Sequence, residues 1–211
     1  MGRIGILAYG SLIEDPGIEL GPLIVNRVVD VKTPFNIEFA RSSRTRDGAP
    51  TVVPVVGFGA AVMGVVLVLD ESIDIELARD LLWRRETRSE GSNRHYRHAK
   101  RPVSNQIVVA QVEDFHNVDT VLYTSITSNI PNPTPPILAR LAINSAAGYA
   151  GSMGRDGISY LISLKRQLIE TPLMTDYEAE ILKLLGASSL RGALQHVREI
   201  ATTGQAPPTI F

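Results

Sequence analysis

The chain opens with a short apolar run that ends at a glycine turn, and this stretch constrains the fold more than any other. Ile4 to Ala8 has the pattern of a buried strand and leads directly into Tyr9, Gly10 and Ser11. Gly10 can adopt backbone angles that are closed to other residues. Successive backbone N–H groups at such a turn can bind a carboxylate or an oxyanion. An ordinary turn after a first strand is the alternative interpretation.

The composition is that of a soluble globular protein with a hydrophobic core. Of 211 residues, 44% are hydrophobic and 20% are charged, which fits one large domain. The formal net charge of −1 argues against electrostatic capture of nucleic acid or of an anionic membrane. The chain has no cysteine, so disulfides, thiolate catalysis and zinc–cysteine sites are excluded. We expect one cytoplasmic domain over residues 1–211 and leave the oligomeric state open.

Two features suggest a membrane span or a metal site, and both have simpler explanations. Val52 to Leu69 carries no charge, but proline and glycines interrupt it and valine dominates the rest, so two buried strands explain it better than a membrane span. His95 and His98 lie on a predicted strand, where a spacing of three places them on opposite faces. We therefore expect neither a membrane segment nor a bound metal.

The predicted elements change character along the chain. Short strands predominate over residues 1–128, and Asn129 to Pro136 is a proline-rich break. Thr134 followed by Pro135 is a good helix start, and helical patterns then continue over residues 134–201. These are a sheet-rich part and a helical part of the single predicted domain.

The segment from Arg41 to Pro50 is polar, rich in turn residues and contains three arginines, one of them Arg46. One interpretation is a solvated surface loop. The other is a lip of the active site, whose arginines bind a substrate carboxylate through two parallel hydrogen bonds.

A helical pattern follows from Asp70 to Arg85, with Ser72 as its expected N-cap. Its apolar residues form one stripe: Ile75, Ala78, Leu81 and Leu82. At about 100° per residue, Glu86 lies roughly 20° from Ile75, so the stripe ends in a carboxylate. The helix dipole also disfavours negative charge at that end. A residue that breaks two local rules is where function is expected, and Glu86 is the catalytic candidate.

The alternative for Glu86 is a surface ion pair with Arg84, Arg85 or Arg88. Neighbouring side chains on a helix point about 100° or more apart, so we expect Arg85 and Arg88 to point away from Glu86 where it faces the core.

Two of these segments together resemble the γ-glutamylcyclotransferase superfamily. Ala8 to Leu12, which reads A-Y-G-S-L, is similar to its substrate loop. Leu82-x-x-Arg85-Glu86 is similar to the helix end that carries its catalytic glutamate. The resemblance implies an α+β fold, a small mixed-strand β-barrel flanked by helices. It leaves the particular γ-glutamyl substrate open, because residues 46–50 differ from the R-G-T-P motif of the glutathione-specific ChaC branch.

The resemblance also implies a reaction. The α-amine of a γ-glutamyl peptide, amide or amine attacks its own γ-carbonyl and releases 5-oxoproline. Glu86 would be general base and acid, and the residues implied to bind substrate are Ala8, Tyr9, Gly10, Ser11, Leu12, Arg46 and Tyr96. No metal or cofactor is implied. The alternatives are a non-catalytic γ-glutamyl-binding protein and a hydrolase with Ser11 as nucleophile.

Overall fold

The computed structural model describes residues 2–99, 103 and 105–203. The strands are β1 (Ile4–Ala8), β2 (Ile24–Lys32), β3 (Asn36–Ser43), β4 (Ala49–Val55), β5 (Met63–Leu69), β6 (Val108–Phe115) and β7 (Val118–Ser125). The helices are α1 (Gly17–Leu20), α2 (Ile75–Thr87), α3 (Pro135–Ala147), α4 (Tyr149–Ser152), α5 (Gly157–Arg166), α6 (Met174–Leu185) and α7 (Leu190–Thr203). Single 3₁₀ turns cover Ser11–Ile13, Gly21–Leu23 and Arg44–Arg46.

The chain divides into two compact units, which we describe separately. The first unit contains the chain up to Pro34 together with Ala61–Thr127. The second contains Phe35–Ala60 together with the described residues from Ser128 onward. The segment that carries β3 and β4 therefore groups with the later helices, although it precedes most of the first unit in sequence.

The first unit is built on a five-stranded sheet in the order β2-β5-β1-β7-β6. β1 lies at its centre, antiparallel to β5 and parallel to β7, and Ile6 is paired with Leu67 on one side and Leu122 on the other. These three side chains are fully buried and share one hydrophobic cluster with Leu81 and Leu82 of α2. Full burial of such a side chain stabilises a fold by about 1.5–3 kcal/mol. This packing fixes α2 against β1, the strand that leads into the glycine turn, and so holds the helix that carries Glu86.

The second unit pairs β3 with β4 in a two-stranded antiparallel sheet and packs the later helices with it. Phe39 of β3 lies edge-on to Tyr177, with ring centroids 5.1 Å apart, and to Tyr160 at 6.4 Å. Glu38 is buried, and its carboxylate accepts hydrogen bonds from the backbone N–H groups of Phe39 and Leu173. The buried Tyr177 hydroxyl has no hydrogen-bond partner among the described residues, and burial raises the pKa of Tyr177.

The α+β class is confirmed. Within the described ranges the strands form two separate sheets and no closed barrel, so the finer prediction of a barrel is not confirmed. The helix predicted from Asp70 begins later, because Asp74 is its N-cap and accepts the Leu77 N–H at 2.8 Å. The predicted cap at Ser72 is therefore wrong. Residues 95–99 are irregular, so the strand expected there is also wrong over its described part.

No helix among the described residues is long and apolar enough to cross a membrane.

Candidate functional site

The turn after β1 is a short 3₁₀ turn whose start is extended. Gly10 has φ 175° and ψ −142°, an extended conformation that any residue can adopt, so this turn does not use the backbone angles that are closed to other residues. The Gly10 carbonyl accepts the Ile13 N–H at 3.0 Å, and the Ser11 carbonyl accepts the Asp15 N–H at 2.9 Å. These bonds hold residues 10–15 in one conformation. We call residues 9–15 the Ser11 turn.

Both ends of the A-Y-G-S-L segment are anchored in the first unit. Ala8 is fully buried and paired with Val65, and Leu12 lies in the hydrophobic cluster. The Tyr9 hydroxyl donates to the Thr124 carbonyl of β7 at 2.5 Å. Tyr9 therefore fixes the turn to the neighbouring strand, and Ser11 is the exposed residue of the segment.

The C-terminal end of α2 carries an ion pair between consecutive residues. Arg85 Nη1 lies 2.6 Å from Glu86 Oε1, and their side chains are 11% and 24% exposed. The helix ends one residue later, and Arg88 takes the left-handed conformation at φ 52°. The interpretation of Glu86 as a partner of a neighbouring arginine thus describes the observed pair. The argument that the helical spacing would keep Arg85 away from Glu86 is wrong.

Arg85 also reaches the Ser11 turn. Its Nη2 donates to Ser11 Oγ at 3.2 Å and to the Asp15 carbonyl at 2.5 Å, and its Nε donates to the same carbonyl at 3.1 Å. The Asp15 carboxylate lies 3.9 Å from Nη2. One guanidinium therefore brings together the two segments that carry the family resemblance, Ser11 on the turn and Glu86 on the helix.

The sequence offered Arg85 only as part of the helix-end motif and as one alternative ion-pair partner of Glu86, and it gave no sign of a contact with Ser11. The available signal was its position between an apolar helix face and the candidate carboxylate, near a helix end where a cation is favourable. Only the fold shows that its long side chain spans from Glu86 to Ser11.

Arg84, the preceding residue, has a different partner. It is buried, and its Nε donates to Glu19 Oε2 at 2.8 Å while Nη1 donates to the Arg94 carbonyl at 3.1 Å. The hydrogen bond from Arg84 lowers the pKa of Glu19, although partial burial opposes this. Arg84 joins α1, α2 and the segment after α2 and is not bonded to Glu86.

Tyr96 follows α2 in the chain and contacts the middle of that helix, away from Glu86. Its backbone N–H donates to Asp80 Oδ1 at 2.6 Å, and its hydroxyl accepts the Val109 N–H at 3.1 Å. His95 Nδ1 contacts the other Asp80 oxygen at 2.5 Å. Within the described ranges no hydrogen bond joins Tyr96 to Ser11, Arg85 or Glu86, and its role in substrate binding stays a prediction.

Arg46 belongs to the second unit. Its Nε donates to the Arg155 carbonyl at 2.8 Å and its Nη2 to the Asp156 carbonyl at 3.3 Å. The guanidinium carbon lies 4.2 Å from the centre of the Tyr160 ring. The structure thus gives Arg46 partners within its own unit, and a role in substrate binding stays a prediction.

Two further kinds of chemistry were considered at the sequence level. Over the part of the chain that the structure describes, no group of three or more histidine, aspartate or glutamate side chains could hold a metal. Ser11 Oγ accepts a hydrogen bond from Arg85, and no histidine is bonded to it among the described residues. A guanidinium keeps its protons, so this partner does not activate Ser11 as a nucleophile.

Comparison of the chain with protein-family models found no match, and a search of curated proteins found none either. The resemblance to the γ-glutamylcyclotransferase superfamily therefore depends on the two motifs and on the geometry that joins them.

Proposed function

We propose that this protein is a γ-glutamylcyclotransferase-like enzyme that releases 5-oxoproline from a γ-glutamyl peptide, amide or amine. The observation that carries the proposal is the Arg85 contact. It joins Ser11 of the A-Y-G-S-L turn to Glu86 of the helix end, so two motifs separated by more than seventy residues of sequence meet in one place. A small β-barrel flanked by helices, one domain over residues 1–211 and a cytoplasmic location belong to the same proposal.

The reaction requires little from the protein beyond positioning and proton transfer. The α-amine nitrogen of the substrate attacks the γ-carbonyl carbon, and the bond from that carbon to the leaving nitrogen breaks. Nucleophile and electrophile belong to one molecule, and well-oriented intramolecular attack can supply on the order of 7–11 kcal/mol of the barrier. Glu86 accepts the proton that the attacking amine loses and returns it to the leaving nitrogen.

The Ser11 turn has a complementary role in this proposal. Its first N–H groups open a 3₁₀ turn, where backbone donors lack partners within the turn itself. Such donors favour a substrate carboxylate or the oxyanion that develops on the γ-carbonyl. The Tyr9 hydroxyl is bonded to Thr124, so we assign Tyr9 the task of holding the turn.

The experiment is a survey of substrates with a matched control. Purified protein is incubated with glutathione, γ-glutamyl dipeptides and γ-glutamylamines, and 5-oxoproline is measured by mass spectrometry. The Glu86→Gln variant, purified identically, detects contaminating activity. We expect product from at least one class of compound with the wild type and a strongly reduced amount with the variant. No product from any of them would refute the proposal.

A second candidate is a binding protein of the same fold that takes up a γ-glutamyl ligand without turning it over. The ion pair favours this alternative, because one oxygen of the Glu86 carboxylate is already bonded to Arg85. Calorimetric binding of a γ-glutamyl compound that is recovered unchanged after hours would select it.

A further inference from the structure

One guanidinium connects the proposed base to the proposed substrate turn. Arg85 donates hydrogen bonds to Glu86 Oε1, Ser11 Oγ and the Asp15 carbonyl, and its side chain is only 11% exposed. Consecutive residues on a helix do not face each other, so a bond from Arg85 to Glu86 is not a result of helical spacing. The same Arg85 guanidinium reaches the Ser11 turn, so the pair with Glu86 forms beside that turn.

The contact also makes the two oxygens of the Glu86 carboxylate different, because Arg85 bonds only one of them. Arg85 occupies Glu86 Oε1, and Oε2 has no hydrogen-bond partner among the described residues. A glutamate side chain has three rotatable bonds, and a bond to a nearly buried guanidinium restricts them more than a bond to solvent does. The free oxygen is then held in a defined direction relative to the turn.

We propose that Arg85 is a positioning residue that holds Glu86 Oε2 at the Ser11 turn for the two proton transfers. This inference rests on the proposed function. Proton transfer requires the base within about 2.6–3.2 Å of the proton's heavy atom. The planar fork of an arginine serves this purpose, since it bonds the carboxylate and the turn in fixed directions at once. Arg85 acts through Glu86 and does not itself move the proton.

The test separates kcat from KM in three variants. Arg85→Gln removes the bridge, and since a displacement of about 1 Å can cost 10²-fold in rate, we expect kcat to fall roughly 10²-fold. Arg85→Lys keeps a charge but loses the fork, and we expect kcat roughly tenfold below wild type. KM changes by less than about threefold in both, because Arg85 itself is assigned no substrate contact.

Arg27 provides the matched control. Its Nη1 donates to the Ile13 carbonyl of the same turn at 2.9 Å, and the structure joins it to neither Glu86 nor Ser11. Arg27→Gln therefore removes a guanidinium from the turn without disturbing the carboxylate, and we expect kcat within about twofold of wild type. A kcat loss in Arg27→Gln equal to that in Arg85→Gln would overturn the inference, because it would show a general effect of loosening the turn.

A double substitution tests whether Arg85 acts through Glu86. In the Glu86→Gln background, Arg85→Gln should lower the residual kcat by less than about twofold, since residues that act as a unit are strongly non-additive. A full additional loss overturns the inference, as does a raised KM with unchanged kcat, which would make Arg85 a substrate ligand. If Arg85→Lys has the kcat of the wild type, the inference is overturned, and this test remains available even when Arg85→Gln fails to fold. Inactive wild type with every substrate refutes the proposed function instead.

Discussion

Each unit of this protein has a turn held by an arginine, and the two guanidinium groups bond different kinds of acceptor. Arg46 in the second unit donates to the carbonyls of Arg155 and Asp156 and lies over the Tyr160 ring. Arg85 in the first unit donates twice to the Asp15 carbonyl and then to a hydroxyl and a half-buried carboxylate.

The two units also differ in one carboxylate beside the arginine, Asp156 in the second unit and Glu86 in the first. The Asp156 side chain is fully buried, and both of its oxygens are used at the start of α5, by the Ser159 N–H at 2.8 Å and the Ser159 hydroxyl at 2.6 Å. Glu86 is 24% exposed and has one oxygen without a partner in the described part of the chain. A fully bonded carboxylate stabilises a fold, whereas a partly bonded one at the surface can exchange protons. We infer that Arg46 is structural and that Arg85 serves chemistry.

The largest expected effect concerns Glu86. Glu86→Gln keeps the size of the side chain and a hydrogen-bond acceptor for Arg85, but it cannot accept and return a proton. General acid–base catalysis contributes roughly 10²–10⁴-fold, and we expect turnover to fall by that factor. The free energy of unfolding should change by less than about 1 kcal/mol, because the side chain is partly exposed. Rates of 5-oxoproline release and urea denaturation of the same preparations measure both quantities.

The matched substitution in the second unit is Asp156→Asn, which should show the reverse pattern. It should lower the free energy of unfolding and leave turnover per folded molecule within about twofold. Turnover of Glu86→Gln within a few-fold of wild type would remove the distinction between the two carboxylates.

The next effect is on stability and concerns Arg46. Arg46→Ala removes charged hydrogen bonds to two carbonyls and the stacking on Tyr160, and we expect the free energy of unfolding to fall by about 2–4 kcal/mol. Arg46→Lys retains the charge without the fork and should recover part of this loss. Denaturant midpoints measure both variants.

The same variants test the assignment of Arg46 to the substrate. A folded Arg46→Ala protein with wild-type stability and weakened substrate binding would show that Arg46 binds substrate and does not primarily support the fold.

Local signals in the sequence predicted much of the fold. Thr134 and Pro135 mark the start of α3 as expected, because this signal depends on neighbouring residues alone. The pairing of strands was not predictable in the same way. β3 and β4 belong to the part predicted to be rich in strands, yet they form a sheet of their own and group with helices that are distant in sequence.

The candidate site shows the same limit. The two motifs identified Ser11 and Glu86 as residues to consider, but neither motif indicates which side chain joins them. Helical spacing treats side chains as fixed directions from the axis, and it therefore separated Arg85 from Glu86. A long side chain at a helix end can turn toward a neighbouring loop, and only the packing of α2 on the central strand places that loop within reach.

The smallest expected effect uses Arg84 to sharpen the contrast with Arg85. The hydrogen bond from Arg84 lowers the pKa of Glu19 below its usual 4.5. A carboxylate whose pKa is lower in the folded than in the unfolded state binds fewer protons when folded, so its stabilisation is complete above the unfolded pKa. That stabilisation is lost as the pH falls through the folded pKa. Glu19→Gln should therefore lower the free energy of unfolding at neutral pH and match wild type more closely well below pH 4.5.

Glu76 on α2 is the control for this measurement, because it pairs with Arg79 at the surface and its side chain is 75% exposed. Exposed pairs contribute about 0–1 kcal/mol, so Glu76→Gln should change stability little at any pH. Urea denaturation between pH 7 and 3 compares the two variants with wild type. A Glu19→Gln difference that does not shrink with falling pH would show that the side chain acts through packing rather than through charge. Arg84 would then no longer serve as the structural counterpart of Arg85.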